Sequence, residues 1–195
     1  MMKIGIYGGS FNPIHFGHIG LAVWTLTHTD LDELWLMVTP SNPLKDADRL
    51  QANEQQRLCA ARQTIRQVNK QYAGELNGKR LRVSDWEFHL PRPSYTAQTL
   101  RTLMQQFPEH AFTLLIGEDN WQLFPRWREW QWIVQHVPIL VYPRHTSALP
   151  SDNNPVSTAE SKEFLPESAS VIFLTDAPYF DISSTQLRAE AEKTT

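Results

Sequence analysis

The sequence predicts an α/β fold, a doubly wound parallel sheet with helices on both faces, and three observations carry that prediction. Short apolar runs rich in β-branched or aromatic residues alternate with segments whose apolar residues recur every three or four positions. Most of the runs are apolar without alternation, as strands covered on both faces are. The stretches densest in glycine, proline and polar side chains come directly after the runs, at the strand ends where such sheets bind ligands.

Taken in order, strands are expected over residues 4–7, 34–38, 81–83 with a continuation to 88, 112–116, 139–142 and 171–174. A helix is expected over 54–68, where Leu58, Ala61, Ile65 and Val68 recur at helical steps. A second is expected over 95–107, where Leu100, Leu103, Met104 and Phe107 do the same. Residues 145–166 are polar and rich in Ser, Pro and Asn, and read as a surface excursion. No internal repeat and no second core are visible, so residues 1–195 read as a single, Rossmann-like domain.

Composition narrows the class. Hydrophobic residues make up 41% of the chain, enough for a sizeable core. A net charge of −3 argues against a nucleic-acid partner bound through broad positive charge, while leaving room for a local basic pocket. The single cysteine, Cys59, excludes an internal disulfide framework and a Cys-rich zinc site, and reads as a small apolar residue on a helix. The N-terminus shows no signal-peptide pattern and no run approaches a membrane span, so a cytoplasmic protein with no membrane partner is expected.

The chemistry concentrates in residues 8–18, GGSFNPIHFGH. Gly8 and Gly9 lack Cβ atoms, which lets the backbone approach a ligand closely and adopt positive φ. Pro13 stiffens the turn. A helix expected to begin near Gly17 offers free N–H groups to an anion. His15 and His18 can each donate a hydrogen bond to a phosphate oxygen. The stretch is neither a Walker A loop nor a GxGxxG fingerprint. Two histidines three apart can also form a metal pair, but no third ligand lies nearby in sequence, and no protein-held metal is expected here. Near the other end stands Ile182-Ser183-Ser184-Thr185-Gln186-Leu187-Arg188. Its hydroxyls can cap a helix and bind phosphate together, and the planar fork of Arg188 can clamp a triphosphate.

These two motifs resemble the signatures of the His-x-Gly-His nucleotidyltransferase superfamily, and the middle of the chain is similar to one branch of it. Pro93-Ser94-Tyr95-Thr96, followed by Thr99-Leu100, resembles an element of bacterial nicotinate-nucleotide adenylyltransferases, as do Ile116-Gly117-Glu118-Asp119 and Phe124-Pro125-Arg126-Trp127. The resemblance implies adenylyl transfer from ATP to nicotinate mononucleotide, with Mg²⁺ accompanying ATP. It implies His15, His18 and Arg188 as catalytic residues. It implies ATP binding by Gly8, Gly9, Ser10, Phe11, His15, His18, Gly117, Asp119 (through a ribose hydroxyl), Ile182, Ser183, Ser184, Thr185 and Arg188. Asn42 and Lys45, with Lys45 at a phosphate, and Tyr95, Thr96 and Trp127 are implied at the mononucleotide, Trp127 by stacking on the pyridine ring. The amides at the start of the Tyr95 helix suit the nicotinate carboxylate. Four of the seven tryptophans fall between 121 and 132, and at least two of these are expected to pack the core.

The chain departs from that family at Ser10, Asn12 and Leu44, where Thr, Asp and His are commoner, and it ends seven residues after Arg188, where relatives usually continue into a helical tail. Transfer to nicotinamide mononucleotide or phosphopantetheine changes only the acceptor pocket and remains an alternative. So does a non-catalytic nucleotide-binding module of the same fold. A class I tRNA synthetase fragment also carries a His-x-Gly-His element, but no Lys-Met-Ser-Lys-Ser sequence and no basic surface accompany it here.

Overall fold

A computed structural model describes residues 1–40, 54–143, 165–166, 169–180, 184 and 187. Six strands, β1 (Lys3–Gly9), β2 (Glu33–Val38), β3 (Arg80–Ser84), β4 (Ala111–Gly117), β5 (Ile139–Tyr142) and β6 (Val171–Phe173), form one sheet in the order β3-β2-β1-β4-β5-β6. Every pairing is parallel, with Ile6 of β1 opposite Trp35 on one side and Leu114 on the other. The chain builds outward from β1 to β3, then crosses back and builds outward again from β4. The reversal falls between β1 and β4, where the loops after the two strands diverge and leave a crevice.

The helices are α1 (Phe16–His28), α2 (Glu54–Gln71), the single turn α3 (Ala73–Leu76), α4 (Thr96–Gln106), α5 (Glu118–Gln122) and α6 (Trp130–His136). Successive residues of each central strand enter opposite core layers, which explains the unbroken apolar runs. Tyr7, Leu34, Leu36, Leu115 and Leu140 pack with Leu21 and Leu26 of α1 and Leu58, Ala61, Ile65 and Val68 of α2. Ile4, Ile6, Met37, Leu114, Ile116 and Val141 pack with Leu100 and Leu103 of α4 and Ile133 and Val134 of α6. The sheet is therefore covered on both faces, as the sequence pattern predicts.

One expectation needs correction. The strand at 81–83 does not continue to 88: β3 stops at Ser84, and Trp86–His89 forms a 3-10 turn. The Ser84 hydroxyl accepts from the Trp86 amide (3.2 Å), and the Trp86 indole donates to Thr102 of α4 (2.9 Å), so the apolar residues after the strand serve a helix contact rather than the sheet. Residues 145–164 lie outside the described residues, while Leu165 packs against the α4–α6 layer. Among the described residues no helix is long and apolar enough to cross a membrane.

Candidate active site

The carboxyl ends of β1 and β4 open onto a cavity of about 440 Å³. Its walls include Gly8, Gly9, Ser10, Phe11 and His18 from the β1–α1 connection, Gly117 and Asp119 after β4, and Tyr95, Thr96 and Trp127 opposite. Ser184 also lines it, and its hydroxyl donates to the Pro13 carbonyl (2.9 Å), which brings the C-terminal motif against the first loop. Thus ten of the residues singled out in the sequence share one cavity with Ser184. His15 lines a small neighbouring recess with His18, Tyr142 and Phe180. Asn42, Lys45, Ile182, Ser183, Thr185 and Arg188 lie outside the described residues.

The β1–α1 turn departs from the sequence expectation in where it takes the left-handed conformation. Neither Gly8 nor Gly9 has positive φ; Phe11 does, at 45°. That conformation costs a side-chain-bearing residue about 1–2 kcal/mol, while burying a phenylalanine returns about 1.5–3 kcal/mol. Phe11 is 2% exposed, so burial decides. Its ring meets Tyr7 edge-on (5.6 Å) and His18 (5.0 Å). Gly8 serves differently: a Cβ there would meet no protein atom within 4 Å, so the space beside its backbone belongs to the cavity.

His15 is the N-cap of α1, and its backbone N–H donates to Nδ1 of His18 (3.3 Å). This is half of a capping box with an imidazole in the place of the usual Glu or Gln. An Nδ1 that accepts leaves the proton on Nε2, which is the donor a phosphate oxygen requires. The two imidazoles lie 3.7 Å apart, and Tyr7 and Phe11 flank the His18 ring. The ring is fixed before any ligand arrives.

Across the crevice, α4 begins at Thr96 with no side-chain cap from Tyr95, leaving its first amides facing the cavity end of the helix. Trp127 follows a 3-10 turn, Phe124–Arg126, and packs on Phe124 (5.4 Å). Trp121 is buried, and Trp130 and Trp132 pack against the same layer, so at least two tryptophans of this cluster belong to the core as expected. Gly117 ends β4 because a Cβ there would stand 2.5 Å from Asp119 Oδ1 and 3.1 Å from the Tyr142 ring. The glycine lets the carboxylate fold back over the strand end.

Composition and periodicity missed several wall residues. Glu87 is buried at the cavity base, where the Thr99 hydroxyl donates to it (2.9 Å). Burial pushes its carboxyl above the ordinary range, and the hydroxyls of Thr99, Thr39 and Ser94 oppose that shift more weakly. Arg128 stands over the Tyr95 ring (4.8 Å) at the cavity edge. Behind the wall and not part of it, Arg57 of α2, 4% exposed, donates to carbonyls of the β1 and β2 loops. A signal existed for it: Arg57 falls one helical turn before Ala61 on the apolar stripe, where a charge is out of place.

A crevice at the switch point of a parallel sheet, with two histidines at a helix start, suits a nucleotide, and the class of the chain is that of the cytidylyltransferase-like family, whose profile matches residues 6–190. Proteins named as probable nicotinate-nucleotide adenylyltransferases from Bacteroides fragilis and Bacteroides thetaiotaomicron are 44% and 40% identical, over 95% and 96% of this chain and 80% of each relative. A solved Plasmodium falciparum structure, described as a nicotinic acid mononucleotide adenylyltransferase complexed with NaAD, matches with a TM-score of 0.70 at 17% identity, over 97% of this chain and 83% of that one, and shares the fold. The chain belongs to the nicotinate-nucleotide adenylyltransferases within the cytidylyltransferase-like family.

Proposed function

We propose that the protein transfers the adenylyl group of ATP to nicotinate mononucleotide, releasing pyrophosphate and nicotinate adenine dinucleotide, in the cytoplasm. The observation that carries the reading is the single cavity that joins His18 and the glycine turn to Tyr95, Thr96 and Trp127. The 5′-phosphate of the mononucleotide attacks the α-phosphorus of ATP in line, a P–O bond forms, and the bond to pyrophosphate breaks. The attacking oxygen is anionic at neutral pH, so no strong base is needed and the residues act by alignment and charge stabilisation.

His18 donates from Nε2 to phosphate oxygens as charge develops, and His15 does so from beside it. The amides after Gly8 and the Ser184 side of the cavity hold the triphosphate, with Ile182, Ser183, Thr185 and Arg188 assigned to it by resemblance. Asp119, folded over Gly117, takes a ribose hydroxyl. The first amides of α4 meet the nicotinate carboxylate, Trp127 stacks on the pyridine ring, and Asn42 and Lys45 belong to the acceptor phosphate by resemblance. Mg²⁺ accompanying ATP would neutralise triphosphate charge. Phosphate oxygens and water suit it as ligands, and among the described residues no group of three or more His, Cys, Asp or Glu is arranged as a protein cage.

The test is a turnover assay with ATP and Mg²⁺, supplying nicotinate or nicotinamide mononucleotide in parallel and following pyrophosphate and dinucleotide. A strong preference for the nicotinate form is expected. Equal use of both overturns the carboxylate assignment at Tyr95–Thr96, and ATP binding without product overturns the reaction.

A further inference from the structure

Arg57 is a buried charge that the chemistry above does not use. It lies on the inner side of α2 and is absent from the cavity wall. Its Nη1 donates to the carbonyls of Ser10 and Thr39 (3.1 Å to Thr39), and its Nη2 to that of Pro40 (3.3 Å). Ser10 belongs to the loop after β1, which carries the glycine turn and leads to both histidines. Thr39 and Pro40 begin the loop after β2. Among the described residues the backbone adds one bond between the two loops, from the Thr39 amide to the Gly9 carbonyl (2.9 Å).

A role in packing does not account for an arginine here. Among the described residues no carboxylate forms an ion pair with it, and Glu54, the acid nearest in charge, is engaged by Arg92 (2.8 Å). A buried cation without a paired anion is costly, and an apolar side chain of similar length would fill the same space without that cost. What an apolar side chain lacks is a planar fork able to reach two loops together, and a lysine lacks it too.

We infer that Arg57 is a positioning residue that sets the β1 and β2 loops against each other and thereby fixes the distance between the phosphates of the two substrates. Its kinetic consequence rests on the proposed adenylyl transfer. Displacing a reacting group by about 1 Å costs on the order of a hundredfold in rate even when binding survives.

The experiment compares the intact chain with Arg57→Lys and Arg57→Ala by steady-state kinetics in both substrates, thermal unfolding, and hydrogen exchange across residues 8–14 and 36–40. Arg57→Lys should stay folded, lose at least about tenfold in kcat, and keep each KM within about threefold. Exchange should rise in both loops together, and millimolar methylguanidinium should restore part of the kcat of Arg57→Ala. An unchanged kcat in folded Arg57→Lys overturns the inference, as does faster exchange in one loop alone, or a lowered unfolding temperature without a change in kcat. Inactivity of the wild-type chain with nicotinate mononucleotide strikes the proposed function instead, and the paired exchange of the two loops still decides the coupling.

Discussion

The two walls of the cavity, given to ATP and to the acceptor in the proposed reaction, are built on opposite plans. The nucleotide wall is a contiguous stretch, residues 8–18, whose polar groups are already engaged by protein: His18 by the His15 amide, Pro13 by Ser184, Ser10 by Arg57. The acceptor wall is gathered from three separate places, the 3-10 turn after β3, the start of α4 and the segment after α5. Among the described residues it holds a buried polar atom with no protein hydrogen bond, Trp127 Nε1. Such a group costs about 1–3 kcal/mol until a partner arrives. In the proposed reaction the wall that aligns phosphates is set in advance, and the wall that selects the acceptor is left with a bond to make. Damage to the first should appear in kcat, and damage to the second in KM and in the choice of acceptor.

The sharpest way to break that division is His18→Ala, which removes a donor aimed at developing charge. kcat should fall on the order of a hundredfold or more with little change in either KM; near-normal turnover would remove His18 from the chemistry. Trp127→Ala tests the opposite wall. Loss of one stacking platform should raise the KM for nicotinate mononucleotide about tenfold and leave the KM for ATP and kcat nearly unchanged, so an equal loss for both substrates in a steady-state assay would erase the distinction. Gly117→Ala lies where the walls meet. The new methyl would displace Asp119, so the KM for one ribose-bearing substrate should rise about fivefold, the size expected from losing one hydrogen bond.

Glu87 gives the smallest effect and separates stability from catalysis. Its folded pKa is raised above the ordinary 4.5, so the folded state binds the extra proton and the group's contribution to stability is greatest at low pH. As pH climbs from about 4.5 through the raised value, the wild type should lose that contribution, while Glu87→Gln should not. Unfolding temperatures of both proteins across pH 4 to about 8 would show the two curves diverging; parallel curves would mean that Glu87 titrates normally.

Much of this was legible before the structure. Both core layers follow from apolar runs and helical steps, and ten cavity residues besides Ser184 fall where strand ends and resemblance put them. The misses have physical causes. Trp86 and Phe88 are apolar enough to extend a strand, but the Ser84 hydroxyl and Thr102 draw them into a turn. Positive φ was expected at glycine, the least strained choice, yet burial of the Phe11 ring outweighs the backbone cost. Arg57 and Glu87 were passed over because each works through a contact distant in sequence, with the β1 and β2 loops or with Thr99.

The bond from Ser184 to Pro13 spans 171 positions of the chain. Nearby, the ring of Phe180 presses so closely on α1 that a Cβ at Gly20 would meet it at 2.2 Å. A ribosome that has delivered only β1 to β5 has made most of both core layers and the wall at Tyr95 and Trp127, but the cavity still lacks Ser184. The cavity is therefore completed late in synthesis, after most of the sheet can already be assembled.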